Sequence, residues 1–253
     1  MPARKTEVEG REGKQTDGSA KTREARLAVV WSAETADKEG HPVRDPGSAT
    51  YNAAIKTIAT RDTDIEPAPF ARRVLREAER RGFDTAGRRV ILGDGAPWIW
   101  NFADEHFPDA VQIVDIFHAK GHLFEVAKAI YGIGSGIGHQ WARKRREELD
   151  GGRVDEVIAT LRSHAETCEV ARKNAEYFSS NRERMNYPKF RAMGLCVVSG
   201  VVEGGCKNIV GARLKQGGMR WTVDGANAII ALRCAVESNR FDDFWERRVG
   251  AIP

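Results

Sequence analysis

The first half of the chain gathers its apolar residues into short β-branched runs bounded by turn residues, whereas from about Gly121 to Arg191 they recur at three- and four-residue steps. The first pattern predicts strands alternating with helices, the second helices alone. Residues 26–33, RLAVVWSA, predict a strand, and Asp45-Pro46-Gly47-Ser48 a turn leading into a short extended segment at Ser48 to Tyr51. Phe70, Val74 and Ala78 recur among Arg and Glu over 67–81, with Gly82 as a stop, and predict an amphipathic helix. Val90 to Leu92 and Val111 to Val114 predict two buried strands with an aromatic-rich helix between them, a β-α-β unit.

Each of those strands ends on an acid. Parallel strands joined by a helix present their carboxyl ends on one edge, so Asp94 and Asp115 are expected side by side at the rim where α/β sheets take ligands. Two adjacent carboxylates repel, and a divalent cation relieves the repulsion. The glycines flanking Asp94 allow a tight turn and close backbone approach. Asp94 as a start signal for the helix at Pro97 is the competing explanation.

Beyond His118 the stripes Leu123, Val126, Ala127, Ile130 and Val154, Ile158, Leu161, Ala165, Cys168, Ala175, Phe178 each fit one helical face. Residues 133–138, IGSGIG, are glycine-dense without a preceding strand, which favours a helix–helix turn over a phosphate cradle. Ser199 is an expected N-cap for a helix carrying Glu203, Lys207 and Leu214 on one face and Val202, Cys206 and Ile209 on the core side. Gly204 and Gly205 beside Glu203 weaken that helix by roughly 1 kcal/mol each, which suggests that something approaches closely. A last helix is expected over 224–237, then a tail whose Phe244 and Trp245 could dock on the body. Four segments follow: an exposed loop or disordered start at 1–23, a partial core at 24–120, a helical segment at 121–192, and a C-terminal part at 193–253.

Composition narrows the function. At 253 residues with 41% apolar and 30% charged residues, the chain can bury a sizeable core. No apolar run is long enough to span a membrane and no signal peptide opens the chain, which predicts a cytoplasmic protein with no membrane partner. Cys168, Cys196, Cys206 and Cys234 lie far apart and suggest neither a zinc ribbon nor a disulfide framework. The net charge of +4 is mild, but the basic residues cluster at Arg143-Lys144-Arg145-Arg146, as a DNA contact or a solvated helix face, and at Lys207, Arg213, Lys215 and Arg220.

Three stretches taken in order, GDGAPWIWNFADEHFP (93–108), VQIVDIFHAKGHL (111–123) and VVEGGCKNIVGARLKQGGMRW (201–221), resemble bacterial insertion-sequence transposases of the ISKra group, kin to the Mutator-like transposases. The resemblance runs from about Lys14 to Arg248. It implies an α/β, ribonuclease H-like (RNase H-like) catalytic core with an all-helical insertion before the last acidic residue. It also implies DNA transposition by a DDE mechanism, in which two Mg²⁺ ions, with Mn²⁺ as a substitute, drive DNA cleavage and strand transfer. Asp94 matches the second acid and Glu203 the third, both as catalytic metal ligands, while Asp115 and His118 match a D-x-x-H element in a supporting role. Lys207, Arg213, Lys215, Arg220 and Trp221 are the expected DNA contacts; Lys207 pairing with Glu203 and Trp221 filling the core are the alternatives. The partners that the resemblance implies are insertion-sequence ends and target DNA, with a homo-oligomer on DNA and a nucleoid location when bound as further expectations.

The resemblance puts the first acid on a strand upstream of KQTDGSAKTRE (14–24), and Asp17 in that turn is no substitute. The expectation is therefore an N-terminally truncated mobile-element protein, inactive alone. Two other functions stay open: a non-catalytic DNA-binding or regulatory remnant, and an unrelated metallohydrolase using Asp115, His118 and His122.

Overall fold

The protein is described from a computed structural model over residues 24–55, 69–216, 221–243 and 246. It is mixed α/β, predominantly helical, and every sheet among the described residues is two-stranded. The chain divides into two compact units. One comprises Met1–Ser32, Arg44–Ala86 and Gly200–Pro253; the other comprises Ala33–Val43 and Gly87–Ser199. No helix among the described residues is long and apolar enough to cross a membrane.

In the first unit, β1 (Arg26–Val30) pairs antiparallel with β4 (Thr50–Ala54), with Arg26 opposite Ala54 and Val30 opposite Thr50. Helix α1 (Pro69–Arg80) buries Phe70, Ala71, Val74 and Ala78, as its four-residue spacing predicts, and the chain turns at Gly82, whose φ of 67° is left-handed. Glu77 on the same face is buried too, and its carboxylate accepts from both the Arg80 and the Arg240 guanidinium groups. After α8 (Gly200–Gly205) the chain makes a π-helical turn at Cys206–Gly211 and a short α9 (Ala212–Leu214). Helix α10 (Val223–Glu237) starts at Thr222, whose hydroxyl accepts the Gly225 N–H at 3.0 Å. The core of this unit joins Ala53 and Ile55 to Ile209, Val210, Leu214, Ala226, Ile230 and Cys234. Two side chains of the α10 region also reach β4: Ser238 Oγ accepts the Tyr51 N–H at 2.9 Å and Asn227 Oδ1 the Ile55 N–H at 2.8 Å.

The second unit holds the predicted β-α-β. Strand β5 (Val90–Gly93) runs through α2 (Pro97–His106) to β6 (Val111–Val114), and the strands pair in parallel with Val90 opposite Val111 and Gly93 opposite Val114. A small antiparallel pair, β2 (Thr35–Ala36) with β3 (Pro42–Val43), belongs to the same unit. Then come α3 (Ile116–Tyr131), α4 (Gly136–Asp150), α5 (Val154–Ser163), α6 (Glu169–Ser180) and α7 (Tyr187–Ala192). Their stripes and the β5–β6 pair share one core, in which Ile113, Leu123, Leu149, Leu161, Phe178 and Tyr187 are fully buried. The glycine-dense stretch is the turn between α3 and α4, where Ser135 caps α4 by accepting the Gly138 N–H.

The basic run at Arg143–Arg146 is only partly a solvated face. Arg145 is buried and held by Glu148 and the Thr160 hydroxyl, and Arg146 lies 5.0 Å over the Phe124 ring. Arg143 pairs with Glu147, one helical turn on.

Candidate functional site

The parallel register puts Asp94 and Asp115 one residue beyond the ends of neighbouring strands, and the Asp115 N–H donates to the Gly93 carbonyl at 2.8 Å. Their environments differ. Asp94 is exposed, three residues ahead of the start of α2, and its Oδ1 accepts the Ala96 N–H at 2.9 Å. This is a side-chain-closed turn and not a helix cap, because the residue at the cap position is Ala96. Gly95 has a φ of 94°, and a Cβ there would fall 2.5 Å from the Tyr177 ring. Glycine is required at this position on both counts.

The close approach comes from α6. The Tyr177 hydroxyl donates to the Asp94 carbonyl at 2.8 Å, and the Asn181 amide donates to the Gly95 carbonyl at 3.3 Å while accepting the Trp100 indole N–H at 2.7 Å. Burial pushes the Tyr177 phenol above its usual range, and the negative charges of Asp94 and Asp115 add to the shift. The phenol is therefore a fixed donor.

Asp115 is buried, and both of its oxygens are engaged. Oδ1 accepts the His118 N–H at 2.8 Å and so caps α3; Oδ2 accepts both the N–H of Ser199 and its hydroxyl, the latter at 2.7 Å. Ser199 thus serves Asp115, 84 positions away, with the hydroxyl expected to cap its own helix. A second bond, from the Ile116 N–H to the Val197 carbonyl at 3.1 Å, holds the same segment against the strand end.

His118 and His122 follow one turn apart on α3, with Nε2 atoms 3.2 Å apart. His118 is exposed and His122 half-buried, its ring stacked on Tyr177 with centroids 4.2 Å apart. Burial and then the neighbouring His118 lower the pKa of His122, against opposing effects of Asn174 and the Asp94 and Glu125 carboxylates.

Glu203, Lys207, Arg213 and Lys215 belong to the other unit and are all exposed. Glu203 and Lys207 form no ion pair among the described residues; the π turn that begins at Cys206 changes the helical phase between them. The same change overturns the predicted faces: Cys206 is exposed, and Leu214 is buried with Ile209. Something does approach Gly205 closely, namely the β1–β4 hairpin: a Cβ would meet the Tyr51 ring at 2.8 Å and the Leu27 side chain at 3.2 Å. Trp221 packs against that unit's core with its indole N–H buried and unpartnered among the described residues. Arg220, Phe244 and Trp245 lie outside the described residues.

Among the described residues no three His, Cys, Asp or Glu side chains are grouped so that they could hold a metal ion. Asp94 is a hard, exposed oxygen donor of the type Mg²⁺ selects. Asp115 is buried and already accepts three hydrogen bonds out of the roughly four its carboxylate can take, an arrangement suited to positioning the Ser199 segment. The residues that sequence reasoning missed are Tyr177 and Asn181, and for Ser199, expected as a cap, it missed the bond to Asp115; all three are distant in sequence from the turn or acid they hold. No family model, no curated protein and no solved structure matches the chain.

Proposed function

We propose that this chain derives from an insertion-sequence DDE transposase with an RNase H-like core and acts on DNA, with Asp94 and Glu203 in the metal-holding roles that the motif resemblance gives them. What most supports the proposal is the placement of Asp94: an exposed acid just past a strand, beside a parallel strand that also ends in an acid, on a turn that Gly95 keeps tight. In this proposal Asp115 is a positioning residue. Its carboxylate fixes the start of α3 and the Ser199 segment, and His118 stands exposed at the same helix start. Exposed Lys207, Arg213 and Lys215 supply phosphate contacts on the other unit.

The test is binding and cleavage of the DNA ends that flank the gene. Binding should weaken with salt, and each of Lys207→Ala, Arg213→Ala and Lys215→Ala should reduce the log–log salt slope by about 1. Mg²⁺-dependent cleavage of those ends should fall by orders of magnitude in Asp94→Asn and Glu203→Gln. Salt-sensitive binding with no cleavage would leave a DNA-binding remnant; absence of DNA binding would refute the proposal.

A further inference from the structure

We propose that His118 and His122 form a bidentate imidazole site for a borderline divalent transition ion, Zn²⁺, with water completing its coordination. The two residues lie at i and i+4 of α3, so one face of a well-formed helix presents both rings. Their Nε2 atoms face each other at 3.2 Å. Two nitrogens bound at about 2.0–2.1 Å to one tetrahedral Zn²⁺ lie about 3.3 Å apart, so the separation of the two Nε2 atoms already matches what one ion requires. Imidazole pairs select Zn²⁺, Ni²⁺ or Cu²⁺ over Mg²⁺, which keeps this site chemically separate from an oxygen-ligand site at Asp94.

The surroundings of His122 are those of an oriented ligand. Tyr177 stacks on one face of its ring, and Tyr177 is itself fixed by its bond to the Asp94 carbonyl. Asn174, 8% exposed, donates its amide N–H to the Val170 carbonyl at 2.8 Å. Its buried carbonyl oxygen has no hydrogen-bond partner among the described residues and is near enough to His122 to favour the protonated ring. An acceptor on one ring nitrogen of a metal-binding histidine sets the tautomer that leaves the other nitrogen free to bind metal. His118, exposed on the outer side, leaves the ion open to solvent.

Isothermal titration of the tag-free full chain with Zn²⁺ tests the site. The expected result is one ion per chain, with affinity reduced more than about tenfold in His118→Ala and in His122→Ala, unchanged in His139→Ala, and insensitive to millimolar Mg²⁺. His118 is exposed, so His118→Ala keeps the fold, and circular dichroism checks it. Asn174→Ala should weaken binding without abolishing it. Wild-type Zn²⁺ affinity in the folded His118→Ala/His122→Ala double variant, or no binding by the wild type, overturns the site. Neither outcome touches DNA binding or Mg²⁺ dependence, so failure here and failure of the transposase proposal are distinguishable.

Discussion

Replacing Asp115 by alanine separates a positioning role from a ligand role. The wild-type carboxylate accepts three hydrogen bonds, one capping α3 and two from Ser199. Loss of an N-cap costs about 1 kcal/mol, and a hydrogen bond to a charged acceptor is worth about 1.5–3 kcal/mol. Ser199 is only partly buried, so its hydroxyl regains water and the Ser199 N–H carries most of the remaining loss. The carboxylate's own desolvation is relieved at the same time. The net expectation is a loss of about 3 kcal/mol, which for a chain of this size lowers Tm by roughly 6–12 °C. Because the chain has two units, a global melt can mix transitions. Amide hydrogen exchange localises the effect: protection should fall at His118 and Ser199 first and stay unchanged in α10. Asp115→Asn should fall between wild type and Asp115→Ala, keeping the cap oxygen but turning an amide N–H toward one or both Ser199 donors. A loss under about 0.5 kcal/mol, typical of surface changes, with protection at Ser199 intact, would refute the positioning role.

Gly95→Ala should destabilise the second unit by about 1–3 kcal/mol, through left-handed backbone and collision with the Tyr177 ring; Tyr177→Ala should rescue part of the loss in a double-mutant cycle. Glu77→Gln, which weakens the carboxylate's bonds to Arg80 and Arg240, should cost about 2 kcal/mol, below the figure for a fully buried pair because both arginines are partly exposed, and a urea titration of each variant checks it. Burial pushes the Cys234 thiol from 9.0 up to about 11, so the unfolded chain loses that proton first. Stability should therefore be fully present below about pH 9 and decline between about 9 and 11, by up to roughly 2–3 kcal/mol, and Cys234→Ala should flatten that decline in a pH series of chemical melts. Exposed Cys206 should react with a thiol reagent in the native protein, and Cys234 only on unfolding, as a timed labelling experiment would show.

The local pattern in the sequence carried most of the elements. Alternation and four-residue spacing located α1, the β5-α2-β6 unit and the apolar stripes of α3, α5 and α6, although the stripe read as one from Val154 to Phe178 is broken into two helices between Ser163 and Glu169. They also located the Asp94 turn, since two glycines around an acid after a β-branched run leave few other conformations. What periodicity does not carry is the identity of a distant partner. Tyr177 lies 83 residues from Asp94 and Ser199 lies 84 from Asp115, and neither breaks the pattern of its own helix or loop. The π turn at Cys206–Gly211 was hidden for a related reason: one extra residue per turn leaves no mark in composition yet rotates everything after it, which moved Leu214 inward. The buried Arg145 looked like its solvated neighbours because its partner Glu148 sits three residues on, in an ordinary surface spacing.

The α10 side chains that meet β4 also limit how this hairpin can grow. A strand edge with vacant N–H groups invites another extended segment, from the same chain or from a different molecule. Here Ser238 and Asn227 already accept the Tyr51 and Ile55 N–H groups. An incoming strand on that side would have to displace the side chains of Ser238 and Asn227 from these bonds, so the outer flank of β4 is guarded against strand addition.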